Sequence, residues 1–305
     1  MQLRQALHSA IAQLEAAAIG QPRLQAEVLL FHVLGCDRAF LFAHPERELS
    51  SAEQSQFDQL IARRAGGEPL QYLTGHQEFW KAEFLVTPAV LIPRPETEHL
   101  VEAVLSLVRH SACLPSPHLP EEGRCGPPEH GPRLKLIDVG TGSGAIAISL
   151  ARELPLAEVY AVDLSAEALE IARLNAERLG GRVHFAQSDL LAEVLAGGAG
   201  EGGFDFVVSN PPYIGRDEAG EVQDEVKRYE PPMALYAGDD GLDVIRRLIP
   251  QAGAALRAGG WLLMEIGYRQ SEAVRALLEG WQEVYSVADL AGIARIIVAR
   301  KPAGA

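Results

Sequence analysis

The stretch Leu134-Lys135-Leu136-Ile137-Asp138-Val139-Gly140-Thr141-Gly142-Ser143-Gly144-Ala145 decides how this chain is read. An apolar run ends on a carboxylate, turns on three glycines and opens into the helical pattern of 145–153. Glycines let a backbone pass close under a nucleotide-like ligand. Gly140, Gly142 and Ala145 also satisfy G-x-G-x-x-[GA], the dinucleotide pattern, so the loop alone does not choose a cofactor. A tight strand-to-helix turn with no ligand is the plain alternative.

Working outward from this loop, apolar runs that end in an acid or Asn recur at 157–163, 182–189, 204–210 and 261–267. Helical stretches such as 165–179 lie between the first several. That alternation predicts a doubly wound parallel α/β sheet, with ligands beyond the carboxyl ends of its strands. The acids sit there. Asp138 suits the cationic end of S-adenosylmethionine and would repel the pyrophosphate of NAD. Asp163 is placed to accept two ribose hydroxyls, which fits either cofactor. Asp189 ends the third strand, within reach of an adenine amino group. Each acid alone also reads as a helix N-cap, Asp163 before Leu-Ser-Ala-Glu above all. Three at successive strand ends are harder to explain by capping.

The fourth run ends in Asn210-Pro211-Pro212-Tyr213. The prolines stiffen the backbone and lack an N–H, but their carbonyls still accept. The Asn210 side-chain carbonyl adds a second acceptor. Two convergent acceptors suit a planar amino group whose lone pair is delocalised and weakly nucleophilic. Holding both N–H bonds, at Asn210 and at the Pro211 carbonyl, fixes that group and favours the charge developing on nitrogen during attack. Tyr213 is expected to pack on its planar face. Such catalysis is mainly positioning and needs no strong base. A rigid turn closing a strand is the bland alternative.

At 305 residues the chain should hold about two domains, at ~150 residues each. Residues 1–75 read as a small helical domain, with apolar spacing at Leu3, Leu7, Ile11 and Leu14 and helices over 22–34 and 51–64. A connector over 76–110 follows, with short strands or a hairpin expected within 70–86 and a helix from 96 to 109. The Pro- and Gly-rich 111–132 is a linker or loop by composition, and 133–305 is the α/β domain. Within 111–132, Cys113, His118, Cys125 and His130 are spaced C-x4-H-x6-C-x4-H. Short zinc sites use tighter pairs, so no metal is expected.

The net charge is −14, and hydrophobic residues make up 48%, which excludes a mostly disordered chain. Residues 1–95 carry 8 basic and 10 acidic residues, and no segment is a basic nucleic-acid module. Three cysteines make no disulfide framework. With no apolar span long enough for a membrane helix and no signal peptide, a cytoplasmic protein without membrane attachment is expected.

Further motifs narrow the class. Arg63-Arg64-x-x-Gly67-Glu68-Pro69-Leu70-Gln71-Tyr72-Leu73-Thr74-Gly75, Glu78-Phe79-Trp80, Leu91-Ile92-Pro93-Arg94-Pro95-Glu96-Thr97-Glu98 and Asp289-Leu290-Ala291-Gly292-Ile293-Ala294-Arg295 flank the glycine and Asn-Pro-Pro-Tyr loops. Together they resemble the PrmC/HemK family over nearly the whole chain. The resemblance implies a class I S-adenosyl-L-methionine-dependent methyltransferase. Its fold is a mostly parallel, Rossmann-like seven-stranded sheet with a small N-terminal helical domain. It implies methylation of the glutamine amide in the Gly-Gly-Gln motif of class I peptide chain release factors during translation termination, with the helical domain docking the release factor. Gly140, Thr141, Gly142, Ser143, Gly144, Asp163, Asp189, Leu190 and Asn210 would hold the cofactor. Asn210, Pro211, Pro212 and Tyr213 would grip the glutamine, Asn210 and Pro211 acting catalytically. Arg94 and Glu96 would close over the substrate, unless they form only a hinge ion pair. Leu190 stands where some relatives carry an aromatic residue, and 111–132 is longer than the family leads one to expect. An adenine-N6 DNA methyltransferase shares the acceptor loop for the same chemical reason, but would need a basic recognition region and no direct nucleic-acid contact is expected here. An NAD oxidoreductase has no use for that loop, and a degenerate scaffold no use for either loop.

Overall fold

The N-terminal helices are set by capping and apolar spacing. They are α1 (Leu3–Ala16), α2 (Pro22–Leu34), α3 (Arg38–Ala43), α4 (Ser51–Ala65) and α5 (Leu70–Thr74) in a computed structural model. It describes residues 1–113, 133–197, 203–289 and 291–303, without the side chains of 42 and 111–113. Pro22 starts α2 and Gly35, at φ 58°, ends it. Ser50 and Glu53 form a reciprocal capping box on α4. The deepest face of α1 is Leu3, Ala6, Ala10 and Leu14, with Leu7 and Ile11 on its flank. All four apolar residues expected to face the core do so, and the small Ala6 and Ala10 widen that face.

Residues 70–74 are helical rather than extended, ended by Gly75 at φ 79°. The hairpin expected nearby is confined to β1 (His76–Phe79) and β2 (Ala82–Leu85). The helix expected from 96 begins as a 3-10 turn, Pro95–Thr97, and continues as α6 (Glu98–Cys113).

The rest alternates: β3 (Lys135–Val139), α7 (Ala145–Glu153), β4 (Glu158–Asp163), α8 (Ala166–Leu179), β5 (Val183–Gln187), α9 (Ala192–Ala196), β6 (Phe204–Ser209), α10 (Asp224–Tyr229), α11 (Asp243–Ala255), β7 (Leu256–Glu265), α12 (Ser271–Leu277), β8 (Gln282–Ala288) and β9 (Ala294–Arg300). The seven-stranded sheet has the order β5-β4-β3-β6-β7-β9-β8. The first five of these strands pair in parallel, and β9 runs antiparallel to both β7 and β8. Strand order reverses direction between β3 and β6, which makes their carboxyl ends the expected place for a ligand. Alternate residues face two cores. Leu136, Val208, Leu263 and Val298 pack on one side, and Ile137, Val207, Leu262 and Ile297 on the other.

The chain divides into two units: Met1–His76 with Val86–Pro88 and Val222–Glu230, and Gln77–Leu85 with Ala89–Glu221 and Pro231–Ala305. Val222–Glu230 lies inside the 133–305 stretch read as one domain, yet it packs with the helical unit. The cause is Arg64, only 5% exposed, which donates to Gln25, to the Glu68 carbonyl at 2.8 Å and to Glu225 at 2.7 Å. The Tyr229 hydroxyl adds a bond to the Gly66 carbonyl at 3.3 Å.

Two buried polar residues hold the glycine loop. Asn175 is fully buried. Its amide donates to the carbonyls of Leu85 (3.0 Å) and Ser143 (2.9 Å), and its oxygen accepts the Leu85 N–H at 2.7 Å. Asp138 accepts from the Thr141 hydroxyl at 2.7 Å and the Ala147 N–H at 3.3 Å, while its other oxygen has no hydrogen-bond partner. Burial pushes its carboxyl up to about 7.

Asn175→Ala should destabilise the protein by about 2–3 kcal/mol, because one buried and two part-buried backbone groups lose their partner. Urea unfolding checks this, and a loss below about 1 kcal/mol would contradict it. For Asp138, the folded carboxyl keeps its proton up to about pH 7, whereas the unfolded one releases it near pH ~4. The folded state therefore binds the extra proton in that window, and stability is lost as pH rises through it. Asp138→Asn removes this effect. The native protein should lose stability relative to the variant between pH ~4 and ~7, read from paired melting curves; parallel profiles would contradict it.

Candidate active site

Parallel register sets the site. Val139 lies beside Val162 on one side and Ser209 on the other, so three strand ends finish together. The Gly140 and Thr141 N–H groups donate to the Val162 carbonyl at 2.8 and 3.0 Å. The Ser209 hydroxyl donates to the Val139 carbonyl at 2.7 Å. Gly140, Gly142 and Gly144 all adopt left-handed φ, at 73°, 55° and 83°. A Cβ at Gly140 or Gly142 would enter open space, while one at Gly144 would come within 2.7 Å of the Ile148 side chain. Gly144 thus serves helix packing, and Gly140 and Gly142 keep the loop's outer face clear.

One cleft gathers Gly140, Thr141, Gly142, Ser143, Asp163, Asp189, Leu190, Asn210 and Pro212. Gly144, Pro211, Tyr213, Arg94 and Glu96 are not among its lining residues. Neither is Asp138, which is buried with one oxygen on Thr141 and Ala147 and the other without a hydrogen-bond partner. Asp163 is oriented by the Gly142 N–H on one oxygen (2.8 Å) and the Ser165 N–H on the other (2.9 Å). Each oxygen keeps a lone pair for a hydroxyl donor. Burial raises its carboxyl, opposed by the backbone N–H groups of Ser165, Gly142 and Leu164. The cap of α8 is Ser165, which accepts the Ala168 N–H at 3.1 Å; the capping alternative for Asp163 is thereby answered.

Asp189 accepts from Arg247 at 2.5 Å across a half-exposed pair. In that exposure the pair orients the carboxylate more than it stabilises the fold. Leu190 holds φ 56°, a strained conformation for a branched residue and one found at ligand sites more than elsewhere. The sequence reading missed Arg247 and also Met233, which lines the cleft while 53% exposed. Both lie between the Asn-Pro-Pro-Tyr loop and the 261–267 run, on a turn and a helix that carry no spacing signal.

The acceptor loop is tied to a buried carboxylate. The Asn210 side-chain amide donates to Thr97 Oγ1 at 3.0 Å, and Thr97 donates to Glu265 at 2.6 Å. The Tyr213 hydroxyl reaches the other Glu265 oxygen at 3.3 Å. Burial pushes the Glu265 carboxyl up to about 6, opposed by these two hydroxyls. Burial, then the Glu265 charge, pushes the Tyr213 phenol above its ordinary value. Tyr213 therefore has an internal partner beyond the packing role expected of it. Arg94 is half-buried and Glu96 exposed at the 3-10 turn. The charges of Arg94 and Arg295 are felt at Tyr213, and those of Glu96 and Arg295 at Glu265. Thr97 was quoted only as part of a motif and Glu265 only as the end of an apolar run, so neither was read as a site residue.

Among the described residues no group of three or more His, Cys, Asp and Glu gathers as a metal site, and no helix is long and apolar enough to cross a membrane. His118, Cys125 and His130 lie outside the described residues, as does the Cys113 side chain.

Residues 5–75 match the family model of the PrmC N-terminal domain, and 128–227 that of the methyltransferase small domain. The chain is 51% identical over 302 residues to a release factor glutamine methyltransferase of Koribacter versatilis, covering 99% of each. A namesake from Bordetella pertussis is 44% identical, over 91% of this chain and 94% of its own. One from Escherichia coli K12 is 39% identical, over 98% and 99%. The fold is shared with the hMettl16 catalytic domain, solved in complex with MAT2A 3'UTR hairpin 6, at TM-score 0.52 and 15% identity over 84% of this chain and 83% of that one. With whole-length identity of this order joined to an intact glycine loop and acceptor loop, the chain belongs to the release factor glutamine methyltransferase family.

Proposed function

We propose that this chain transfers a methyl group from S-adenosyl-L-methionine to the side-chain amide nitrogen of the glutamine in the Gly-Gly-Gln motif of class I release factors. One observation carries the chemistry: Asn210 lines the cleft with its NH2 already committed to Thr97, which leaves its carbonyl oxygen to accept from a ligand. An acceptor of that kind suits the NH2 of a glutamine amide and gives an ionised carboxylate, which has no proton to donate, nothing to bind. The relatives' name supplies the protein substrate.

The cleft fits the cofactor. Gly140 and Gly142 leave space above the loop, Asp163 has lone pairs for two ribose hydroxyls, and Asp189 keeps an oxygen for the adenine amino group. The cofactor supplies an electrophilic sulfonium methyl with a neutral thioether as leaving group. The protein's part is orientation. Asn210 Oδ1 and the Pro211 carbonyl accept the two amide N–H bonds and direct the nitrogen lone pair at the methyl carbon. These acceptors also stabilise positive charge as the N–C bond forms, and the surplus proton then leaves to water. Pro212 and Tyr213 complete the grip, and Arg94 and Glu96 stand at the turn that delivers Thr97. The helical domain over 1–75 docks the release factor, the 76–110 connector and 111–132 linker lead to the catalytic domain, and the cytoplasm is where such a partner is met.

Purified protein with labelled S-adenosyl-L-methionine should place one methyl on the Gly-Gly-Gln glutamine, located by mass spectrometry. Transfer to duplex DNA with none to the release factor would overturn the assignment. Asn210→Ala should lower kcat by ~10²–10³ with cofactor affinity little changed, as for loss of one preorganised polar contact in the transition state. Asp163→Ala should act the other way, weakening cofactor binding by calorimetry about tenfold or more through two lost charge-assisted bonds; an unaltered affinity would remove Asp163 from the site.

A further inference from the structure

We infer that Thr97 and Glu265 are positioning residues that decide which end of the Asn210 amide faces the acceptor nitrogen. The inference rests on the methyl-transfer reading of the cleft and adds how its acceptor is kept an acceptor. An asparagine amide is nearly symmetric in shape but opposite in chemistry at its two ends. With its oxygen toward the cleft, Asn210 accepts from a substrate amide. Flipped by 180°, it presents N–H bonds to N–H bonds and repels the same group.

The chain of donors removes the ambiguity. An ionised carboxylate only accepts. Glu265 is 3% exposed and takes hydroxyl donors at both oxygens, from Thr97 at 2.6 Å and from Tyr213 at 3.3 Å. Thr97, 4% exposed, has one hydroxyl proton, and Glu265 claims it. Only lone pairs then remain on Thr97 Oγ1, so Asn210 must offer its NH2, at 3.0 Å, and its oxygen is left for the cleft. The orientation follows from this sequence of roles and not from how two similar atoms are labelled. Burial raises the carboxyl to about 6, and a hydroxyl donor at each of its oxygens is the partner set of an ionised carboxylate. The three residues come from separate segments: the 3-10 turn before α6, the end of β7 and the loop after β6. No local folding preference explains their convergence. A buried carboxylate is expensive without partners, and a purely structural contact could be served by an apolar pair.

Thr97→Val keeps the side-chain shape and removes the relay. We expect kcat for methyl transfer to fall about 10–100-fold, with cofactor affinity within about twofold of the native protein, while Thr97→Ser restores kcat to within about threefold. Glu265→Gln should also lower kcat, because a glutamine amide can donate to Thr97 and free its proton for Asn210 Oδ1. Native kcat in Thr97→Val, or a Ser variant as slow as the Val variant, overturns the inference. Neutron diffraction of the native protein reads it without any activity. The Thr97 deuteron should point to Glu265 and the Asn210 ND2 group to Thr97; the reverse overturns it even if the variants are slow. A native protein that methylates no release factor would refute the substrate assignment, and the deuteron positions would still decide the relay.

Discussion

The parallel pairing of β3 between β4 and β6 is the constraint on which the rest depends. It aligns Val139 with Val162 and Ser209, so the glycine loop, Asp163 and Asn210 emerge from one sheet edge. Parallel strands need crossovers, and here α7 and α8 supply them on one face while α11 covers the other. A slip of one residue in β3 would exchange Leu136 with Ile137 between the two cores and withdraw the loop from Val162. Burial of those side chains, worth roughly 1.5–3 kcal/mol each, therefore fixes the geometry of the site as well as the stability of the sheet.

The site is built around buried carboxylates that are held by neutral donors rather than by cations. Asp138 has Thr141 and Ala147, Asp163 has Gly142 and Ser165, and Glu265 has Thr97 and Tyr213. In each case burial raises the carboxyl and the hydrogen bonds pull it back only partly. Such an arrangement costs stability compared with an apolar core. It gives direction in return: loop shape at Asp138, a fixed carboxylate plane at Asp163 and a defined amide at Asn210. At the cleft the half-exposed Asp189 is paired with an arginine instead.

Much of this was legible in the sequence because it is local. Strand ends at Asp163 and Asn210, the stop at Gly35 and the start at Pro22 depend on residues within one or two turns. The hairpin expected within 70–86 forms over 76–85, and the first residues of that stretch are instead a helical turn bracketed by Pro69 and Gly75. On α1 the expected Leu3 and Leu14 are deepest and Leu7 and Ile11 flank them, while Ala6 and Ala10, not read as core, complete the buried face. The pairing of Arg64 with Glu225 spans 161 residues and carries α10 to the helical unit, beyond the reach of any local pattern.

The sequence by itself determined the fold class, the family and the edge at which chemistry occurs, since periodicity, glycine positions and the Asn-Pro-Pro-Tyr turn are properties of contiguous residues. The tertiary structure alone decided which candidates share one cleft. It turned Asp138 inward and gave Gly144 to packing, and it showed that the polarity of Asn210 is set by Thr97 and Glu265, 113 and 55 residues away in the chain. Hydrogen-bond direction depends on which donor meets which acceptor in space, and a linear chain does not record that until its strands are in register.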